Sequence, residues 1–418
     1  MKDIKLLDPL EAVLKALENT TVKTQTEVVS IFDALNRVLA DDIACKKPLP
    51  AFDNSAMDGY AVKLSDAGKK VEIKATILAG DFPKDIIIKN GMVSKIMTGA
   101  FVPPSAEAIV PYEDAQKFDE KFVILPQNLK DSAHIRRKGE EVKEGEIIIK
   151  KGELLRPAHI AILASQGITN IKVYKKLKIG VLSTGSEIKE PWEDATEYQI
   201  YNSNSSAIFA SCLEMNLDVS YLGAIPDDKE LFKKTVREFY EYDVIFTSGG
   251  VSVGDADFTE EVFCSEGMQK IIHGLALKPG KHAMYGIMKN TTIIGLPGNP
   301  LSSIAVFMLF ATPILAKMQG RNSFYHTVSL AKNKKTFSFG GKRANLILGT
   351  LQDGNFSATD DYEYGSGMLT PIIKSNSFII AGKGVEEIKK GDEVRVIMPF
   401  TFNSNKPNDI YTNPKQQD

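Results

Sequence analysis

Apolar positions recur at helical spacing near the start of the chain. Leu10, Val13, Leu14 and Leu17 share one face, and Ile31, Leu35 and Val38 another, so residues 9–39 are expected to be helical. The pattern then changes. Across residues 48–138, short β-prone runs such as 71–78 and 122–125 alternate with Gly, Pro and Asn-Gly punctuation, which predicts a β-rich domain. Residues 139–174 bring a turn-rich stretch and a short helix over 156–165. That helix is expected to complete a core with the N-terminal helices. Residues 1–47 and 139–175 then form one discontinuous helical domain, with the β-rich domain of 48–138 inserted into it.

From 176 to 322 strands and helices alternate. Strands are expected at 177–183, 219–225, 243–248 and 293–296, and helices at 203–215, 229–240, 258–265 and 300–318. This spacing implies βαβ units and a mostly parallel sheet. The strands are apolar throughout, as in Val244-Ile245-Phe246, which suits a doubly wound sheet covered on both faces. Residues 323–400 return to short strands with Gly turns, a small barrel-like β domain. Residues 401–418, rich in Asn, Pro, Lys and Gln, are expected to be disordered. The fold class is therefore α/β plus β-rich: several domains around a central doubly wound α/β domain.

Composition narrows the function. Of 418 residues, 43% are apolar and 25% charged, which excludes disordered and collagen-like chains. A net charge of −2 argues against binding nucleic acid through bulk charge. Cys45, Cys212 and Cys264 form no Cys-x-x-Cys, which fits a reducing compartment and no cysteine zinc site. The first residues mix charges where a secretory signal needs an apolar run. The most apolar run, residues 304–316, is shorter than the roughly 20 residues a membrane span needs. It is expected to be a buried helix. These features predict a cytoplasmic protein with no membrane partner.

Ligands of open α/β sheets bind beyond the carboxyl ends of the strands, and three loops fall there. In Ser183-Thr184-Gly185-Ser186-Glu187, hydroxyls and backbone N–H groups could hold a phosphate and Glu187 a cation; the plain alternative is a polar turn. The second, running from Ser248-Gly249-Gly250 through Ser252 and Gly254 to Asp255 and Asp257, brings backbone close to a ligand. Its two carboxylates suit a hard cation such as Mg²⁺ better than helix capping alone. The third is Leu296-Pro297-Gly298-Asn299-Pro300-Leu301-Ser302, a strand end turning into the long apolar helix. Asn299 is expected as N-cap with Pro300 at the first helical position, and that terminus as an anion site. Between the second and third loops, Lys278 and Lys281 bracket a Pro-Gly turn and can face one anion.

Gly250-Val251-Ser252-Val253-Gly254 also matches the nucleophile elbow of hydrolases. His273, His282 and His326 lie downstream, yet none has an evident acid-supported context, so the elbow reading is set aside. The β-rich segment adds Asn54 to Tyr60, with Asp58, and the loop Met97-Thr98-Gly99-Ala100. Together with 136–141 they describe an acidic, hydroxyl-rich surface outside the α/β domain.

Taken together these motifs resemble the MoeA family, molybdopterin molybdenumtransferase, also found as the E domain of gephyrin. The resemblance rests on 54–60, Met97-Thr98-Gly99-Ala100, Ser183-Thr184-Gly185, residues 248–252, Lys278-Pro279-Gly280-Lys281 and 296–300, in the family's order. It implies an elongated, four-domain homodimer. It also implies that adenylylated molybdopterin and molybdate give the molybdenum cofactor and AMP with Mg²⁺ or a similar divalent ion. By position, Asp58, Thr98, Glu187, Asp227 and Asp257 fall on functional residues, and Glu187, Asp227 and Asp257 would hold the metal. Lys278, Lys281 and Ser302 would belong to the oxyanion and phosphate pocket, with Arg343 and Ser366 added from the last domain. A molybdopterin adenylyltransferase and acceptor molybdoenzymes are the implied partners.

Four residues depart from the family pattern. Glu141 stands for the usual Asp, Ser186 for the Asp of Ser-Thr-Gly-Asp-Glu, and Ser105 and Glu107 for a Gly and an Asp. Two other classes remain at this stage: a nucleotide enzyme like the molybdopterin adenylyltransferases, and a gephyrin-like scaffold. Flanking β domains weigh against the first, and the lack of a fused module or long linker against the second.

Overall fold

A computed structural model describes residues 6–82, 85–250 and 258–413. The chain divides into two compact units, one of residues 1–41, 151–161 and 169–418, the other of residues 42–150 and 162–168.

The larger unit is built on a six-stranded sheet. Its strands are β1 (Lys178–Thr184), β2 (Asp218–Ile225), β3 (Val244–Ser248), β4 (Gln269–His273), β5 (Met284–Met288) and β6 (Thr291–Leu296). Their spatial order is β2-β1-β3-β6-β5-β4. The first four of that order run parallel, as the βαβ pattern predicts. Alternation along β3 shows the double cover. Val244 and Phe246 join a core with Ile208, Leu301 and Phe307, whereas Ile245 joins one with Phe232, Val262 and Phe263. The antiparallel hairpin β4–β5 at one edge is an addition that the strand-helix alternation does not reveal.

The long apolar helix runs from Pro300 to Met318, with a π-helical turn at Phe307–Ala311. It is long and apolar enough to cross a bilayer, yet 89% of its most apolar stretch is buried inside the protein. His326, fully buried, lies beside the wide turn, its Nε2 3.1 Å from the Leu309 carbonyl oxygen.

The C-terminal strands close on themselves. Ala344–Gln352, Asn355–Ala358, Tyr325–Asn333, Glu393–Ser404 and Ser377–Ala381 pair in that order, and the last pairs back to the first. The barrel is tied to the sheet domain by Leu277–Lys278, which pairs in parallel with Ala344 and Asn345. That single ladder is what brings barrel residues to the lysine loop.

Two expectations are corrected. Helix at the start is confined to Pro9–Glu18, where Asp8 accepts from the Leu10 and Glu11 N–H groups as N-cap. Residues Thr26–Ser30 instead form a strand paired with Asn170–Tyr174, followed by one 3₁₀ turn, Ile31–Asp33. Val38 and Leu39 sit in bridges to Leu154 and Val173. β-Branched residues and long-range pairing there override the helical spacing. The polar tail is also ordered through residue 413. The strand Glu393–Ser404 continues past 400, and Tyr411–Thr412 pairs with Ile380 and Ala381. The Tyr411 hydroxyl donates to Asp8 and accepts from Leu10 N. Composition missed this because backbone pairing needs no apolar side chains.

The smaller unit holds a six-stranded sheet in the order Ala108–Pro111, Gly59–Val62, Met92–Ile96, Lys70–Ile77, Phe122–Ile124, Gln116–Lys117. Tyr60 and Val62 pack on one face and Ala61 on the other. Gly59 is required: a Cβ there would lie 2.1 Å from the Val110 carbonyl oxygen.

Candidate functional site

The ends of β1, β3 and β6 open into a cleft of about 960 Å³, within the range of small-molecule sites. It lies where strand order switches, β2 on one side of β1 and β3 on the other. Most of the described loop residues expected at strand ends line it: Ser183, Thr184, Gly185, Glu187, Ser248, Gly249, Gly250, Pro297, Gly298, Asn299 and Ser302.

Their roles differ. The Ser183 hydroxyl is engaged with Asn202 Oδ1 at 2.9 Å and Ser205 Oγ at 2.7 Å, so it braces the wall. Among the described residues Thr184 Oγ1, which is buried, has no hydrogen-bond partner, leaving a donor and acceptor unsatisfied. Gly249 lies at φ +86° and Gly250 at φ +63°, and a Cβ on Gly249 would sit 2.6 Å from the Thr184 carbonyl oxygen. Backbone therefore comes as close to β1 as glycine allows. Ser248 Oγ donates to the Pro297 carbonyl oxygen at 3.3 Å and accepts from Asn204 Nδ2 at 2.8 Å. Asn204 Nδ2 also donates to the Gly298 carbonyl oxygen at 2.7 Å. One buried amide thus pins the loops after β3 and β6 to a helix start. Sequence reasoning missed Asn204; its signal was an Asn-Ser-Asn run opening the helix Ser203–Glu214.

The acidic side of the cleft carries Glu187 and Asp227, both exposed. Asp227 and Ser186 are tied reciprocally, Ser186 N donating to Asp227 Oδ2 at 3.2 Å and Asp227 N to Ser186 Oγ at 3.1 Å. The serine that departs from the family pattern therefore orients a carboxylate. Among the described residues no group of three or more His, Cys, Asp or Glu side chains is placed to hold a metal. Two carboxylates nevertheless suit Mg²⁺, which takes one or two carboxylates together with substrate phosphates and water. Asp257, the third expected ligand, lies outside the described residues, as do Ser252 and Asp255.

The basic side carries Lys278, Lys281 and Arg343. Among the described residues neither lysine is ion-paired; Lys278 Nζ lies 6.0 Å from the centre of the Tyr362 ring. Gly280, at φ +123°, lets the turn between them lie against Val306, 2.7 Å from where a Cβ would stand. Arg343 donates to the Leu277 carbonyl oxygen at 3.0 Å. Asn299 occupies the N-cap position of the long helix but does not cap it; its Nδ2 donates to Ser366 Oγ at 3.0 Å. The Leu301 N–H is taken by the Ser366 carbonyl oxygen at 3.0 Å, so part of the expected anion site is filled by the barrel loop. Tyr362, Tyr364 and Gly365 complete that wall. Asp360, Asp361 and Tyr362 all have positive φ (45°, 51° and 66°), a left-handed run that costs energy for non-glycine residues. Burial pushes the Tyr362 hydroxyl up to about 12, so it stays a neutral donor.

Asp58 and Thr98 lie on the smaller unit and are brought together there. Asp58 Oδ1 accepts from Thr98 N at 2.6 Å and from Thr98 Oγ1 at 2.8 Å, which lowers its pKa below the usual carboxylate range.

Comparison with known proteins finds three family signatures along the chain. They are the MoeA N-terminal region (domain I and II) over 8–167, a probable molybdopterin binding domain over 180–317 and the MoeA C-terminal region (domain IV) over 331–398. A molybdopterin molybdenumtransferase of Haemophilus influenzae is 33% identical over 402 residues, 93% of this chain and 98% of that one. One from Staphylococcus aureus (strain COL) is 28% identical over 400 residues, 93% and 95% of the two chains. The crystal structure of the molybdopterin biosynthesis MoeA protein of Pyrococcus horikoshii OT3 superposes with a TM-score of 0.81 at 27% identity, covering 94% of this chain and all of that one.

Proposed function

The chain belongs to the MoeA family of molybdopterin molybdenumtransferases, enzymes of a late step in molybdenum cofactor biosynthesis, and from that premise we propose that its substrates are molybdate and adenylylated molybdopterin and its products molybdenum-bearing molybdopterin and AMP. The observation that supports this reading is the division of one cleft into a basic side, Lys278, Lys281 and Arg343, and an acidic side, Glu187 and Asp227.

The basic side suits a tetrahedral dianion, because each ammonium or guanidinium donates charge-assisted hydrogen bonds to oxyanions. The acidic side suits Mg²⁺ held by Glu187, Asp227 and Asp257; bound there, it would neutralise charge on the phosphates. The chain's own residues position and polarise. Backbone at Gly249 and Gly250 approaches the substrate closely, and the two lysines hold molybdate beside it. The phosphoanhydride P–O bond breaks as an oxygen of molybdate or water bonds to phosphorus and AMP leaves, and the sulfurs of molybdopterin replace oxygens of molybdate, which depart as water with the sulfur protons, so no protein nucleophile is needed. Rate comes from placement and electrostatics.

The working form is a homodimer in the cytoplasm, in which Asp58 and Thr98 of one copy serve the cleft of the other. Such a C2 assembly would duplicate the arrangement at both clefts. Its suppliers and customers are a molybdopterin adenylyltransferase and molybdoenzyme acceptors. The test is to incubate the purified protein with adenylylated molybdopterin, Mg²⁺ and molybdate and to measure AMP. Molybdate-dependent AMP release supports the proposal; AMP release indifferent to molybdate, or none, overturns it.

A further inference from the structure

A second cleft in the larger unit, of about 360 Å³, shares no lining residue with the first. One wall is the segment from Gly152 to Arg156 and the other the turn from Arg321 to Ser323, with Phe400 and Phe402 between. The walls are locked together. Asn322 N donates to the Gly152 carbonyl oxygen at 2.8 Å, and a Cβ on Gly152 would lie 3.0 Å from Asn322 N and the Gly320 carbonyl oxygen. The shape is therefore preformed by backbone.

Its charge is unbalanced. The Arg321 guanidinium lies 5.7 Å from the centre of the Phe402 ring, and its Nε is buried with no hydrogen-bond partner among the described residues. Among the described residues no carboxylate pairs with it, and the charge that acts on it is another guanidinium, Arg156. Burial and that neighbour lower the Arg321 pKa to about 10, so Arg321 remains cationic at neutral pH. Arg156 is held at the rim by Asn36 Oδ1 at 3.0 Å. The acid on the rim, Glu153, has its carboxylate on the His159 ring at 3.2 Å. A buried charge without a counter-charge is expensive. One largely buried charge, with a second, exposed one at the rim of the same preformed cavity, leaves a place that an anion would stabilise.

We propose that this cleft binds a small oxyanion of the phosphate type between Arg321 and Arg156. The guanidinium fork matches two oxygens of one anion, and stacking on Phe402 leaves the donor edge of Arg321 free to turn toward it. Asn322 and Ser323 add neutral hydrogen-bonding groups to the same wall. The volume is near the lower limit for ligand pockets, which favours a free oxyanion or the phosphate end of a larger molecule over a whole cofactor.

The experiment uses the full chain carrying Lys278→Ala and Lys281→Ala, which weakens anion binding in the first cleft. Melting temperature is followed against inorganic phosphate, with sodium chloride at matched ionic strength as reference and AMP as a second arm. A saturable rise with phosphate beyond that with chloride is expected. Arg321→Gln should abolish it. Arg156→Gln, at an exposed position that folding tolerates, should weaken it by about tenfold or more. Equal responses to phosphate and AMP would mean that a carried phosphate is accepted; a response to phosphate alone would mean a free oxyanion. A rise no larger than with chloride, or one untouched by Arg156→Gln, would overturn the proposal.

Discussion

Alanine at position 249 has no room. Its Cβ would stand 2.6 Å from the Thr184 carbonyl oxygen and 3.2 Å from Thr184 Oγ1. The nearer contact is with the backbone of β1, held in its ladder to β2 and β3, so it cannot swing aside. The residue also keeps φ +86°, a left-handed conformation that costs an L-residue about 1–2 kcal/mol. Forcing a methyl into packed surroundings adds roughly 1–3 kcal/mol. Gly249→Ala should therefore lose about 2–5 kcal/mol, a drop in melting temperature of roughly 5–15 °C. Gly298 in the same cleft is the control. The nearest atom to a Cβ there is Gly249 Cα at 3.8 Å, an ordinary contact, so Gly298→Ala should melt like wild type. Thermal melts of both variants, followed by AMP release, separate the two effects. Gly249→Ala should lose stability and activity together, whereas any loss in Gly298→Ala should appear as weaker substrate binding. A Gly249→Ala protein melting with wild type, or a less stable Gly298→Ala, would refute the steric argument.

Lys278→Ala with Lys281→Ala should raise the molybdate requirement steeply and adenylate affinity less, each lysine being worth about 1.5–3 kcal/mol; equal losses for both ligands would assign the lysines to the nucleotide phosphates. Asp58→Ala and Asp257→Ala proteins, each inactive, should recover about a quarter of wild-type activity after subunit exchange if the site is shared, since half the dimers are mixed and each keeps one intact site; no recovery despite verified exchange would place the site in one chain. Burial lowers the His326 pKa to about 4, so the imidazole stays neutral in the fold while the unfolded chain protonates it near pH 6.5. Stability is thus full above about pH 6.5 and falls by up to ~3 kcal/mol toward pH 4. His326→Gln should flatten that part of the urea midpoint's pH profile, and an unchanged slope would count against it.

Much of the α/β domain was legible because its signals are local. Apolar strands such as Val244–Ser248 and amphipathic helices such as Lys229–Val236 declare themselves within a few residues. Closure of the barrel was not, because the pairing of Ala344–Gln352 with Ser377–Ala381 is a choice among strands that look alike. The lysine loop drew attention to its charges and hid the hairpin strands around it, Gln269–His273 and Met284–Met288. Site loops rich in Gly were found from sequence because glycine marks unusual backbone. The left-handed run at Asp360–Tyr362 uses no glycine, so neither Tyr362 nor Tyr364 stood out. Asn204 was invisible for another reason: a polar residue in the first turn of a helix looks solvated until its partners at Ser248 and Gly298 are known.

The pairing of Thr26–Ser30 with Asn170–Tyr174 sets a timetable for the growing chain. About 140 residues separate the two strands, and ribosomes add about 5–20 residues per second. The first strand therefore waits roughly 7–28 seconds before its partner has been made. Every residue of the smaller unit, 42–150 with 162–168, is synthesised within that interval. The guest can reach its own cores, one around Tyr60 and Val62 and the other around Ala61, while its host is still incomplete. A slow or failed guest would keep Val28 and Val29 unpaired for longer, so defects inside the inserted unit should surface in cells as lost yield of the whole protein, through chaperone retention and proteolysis.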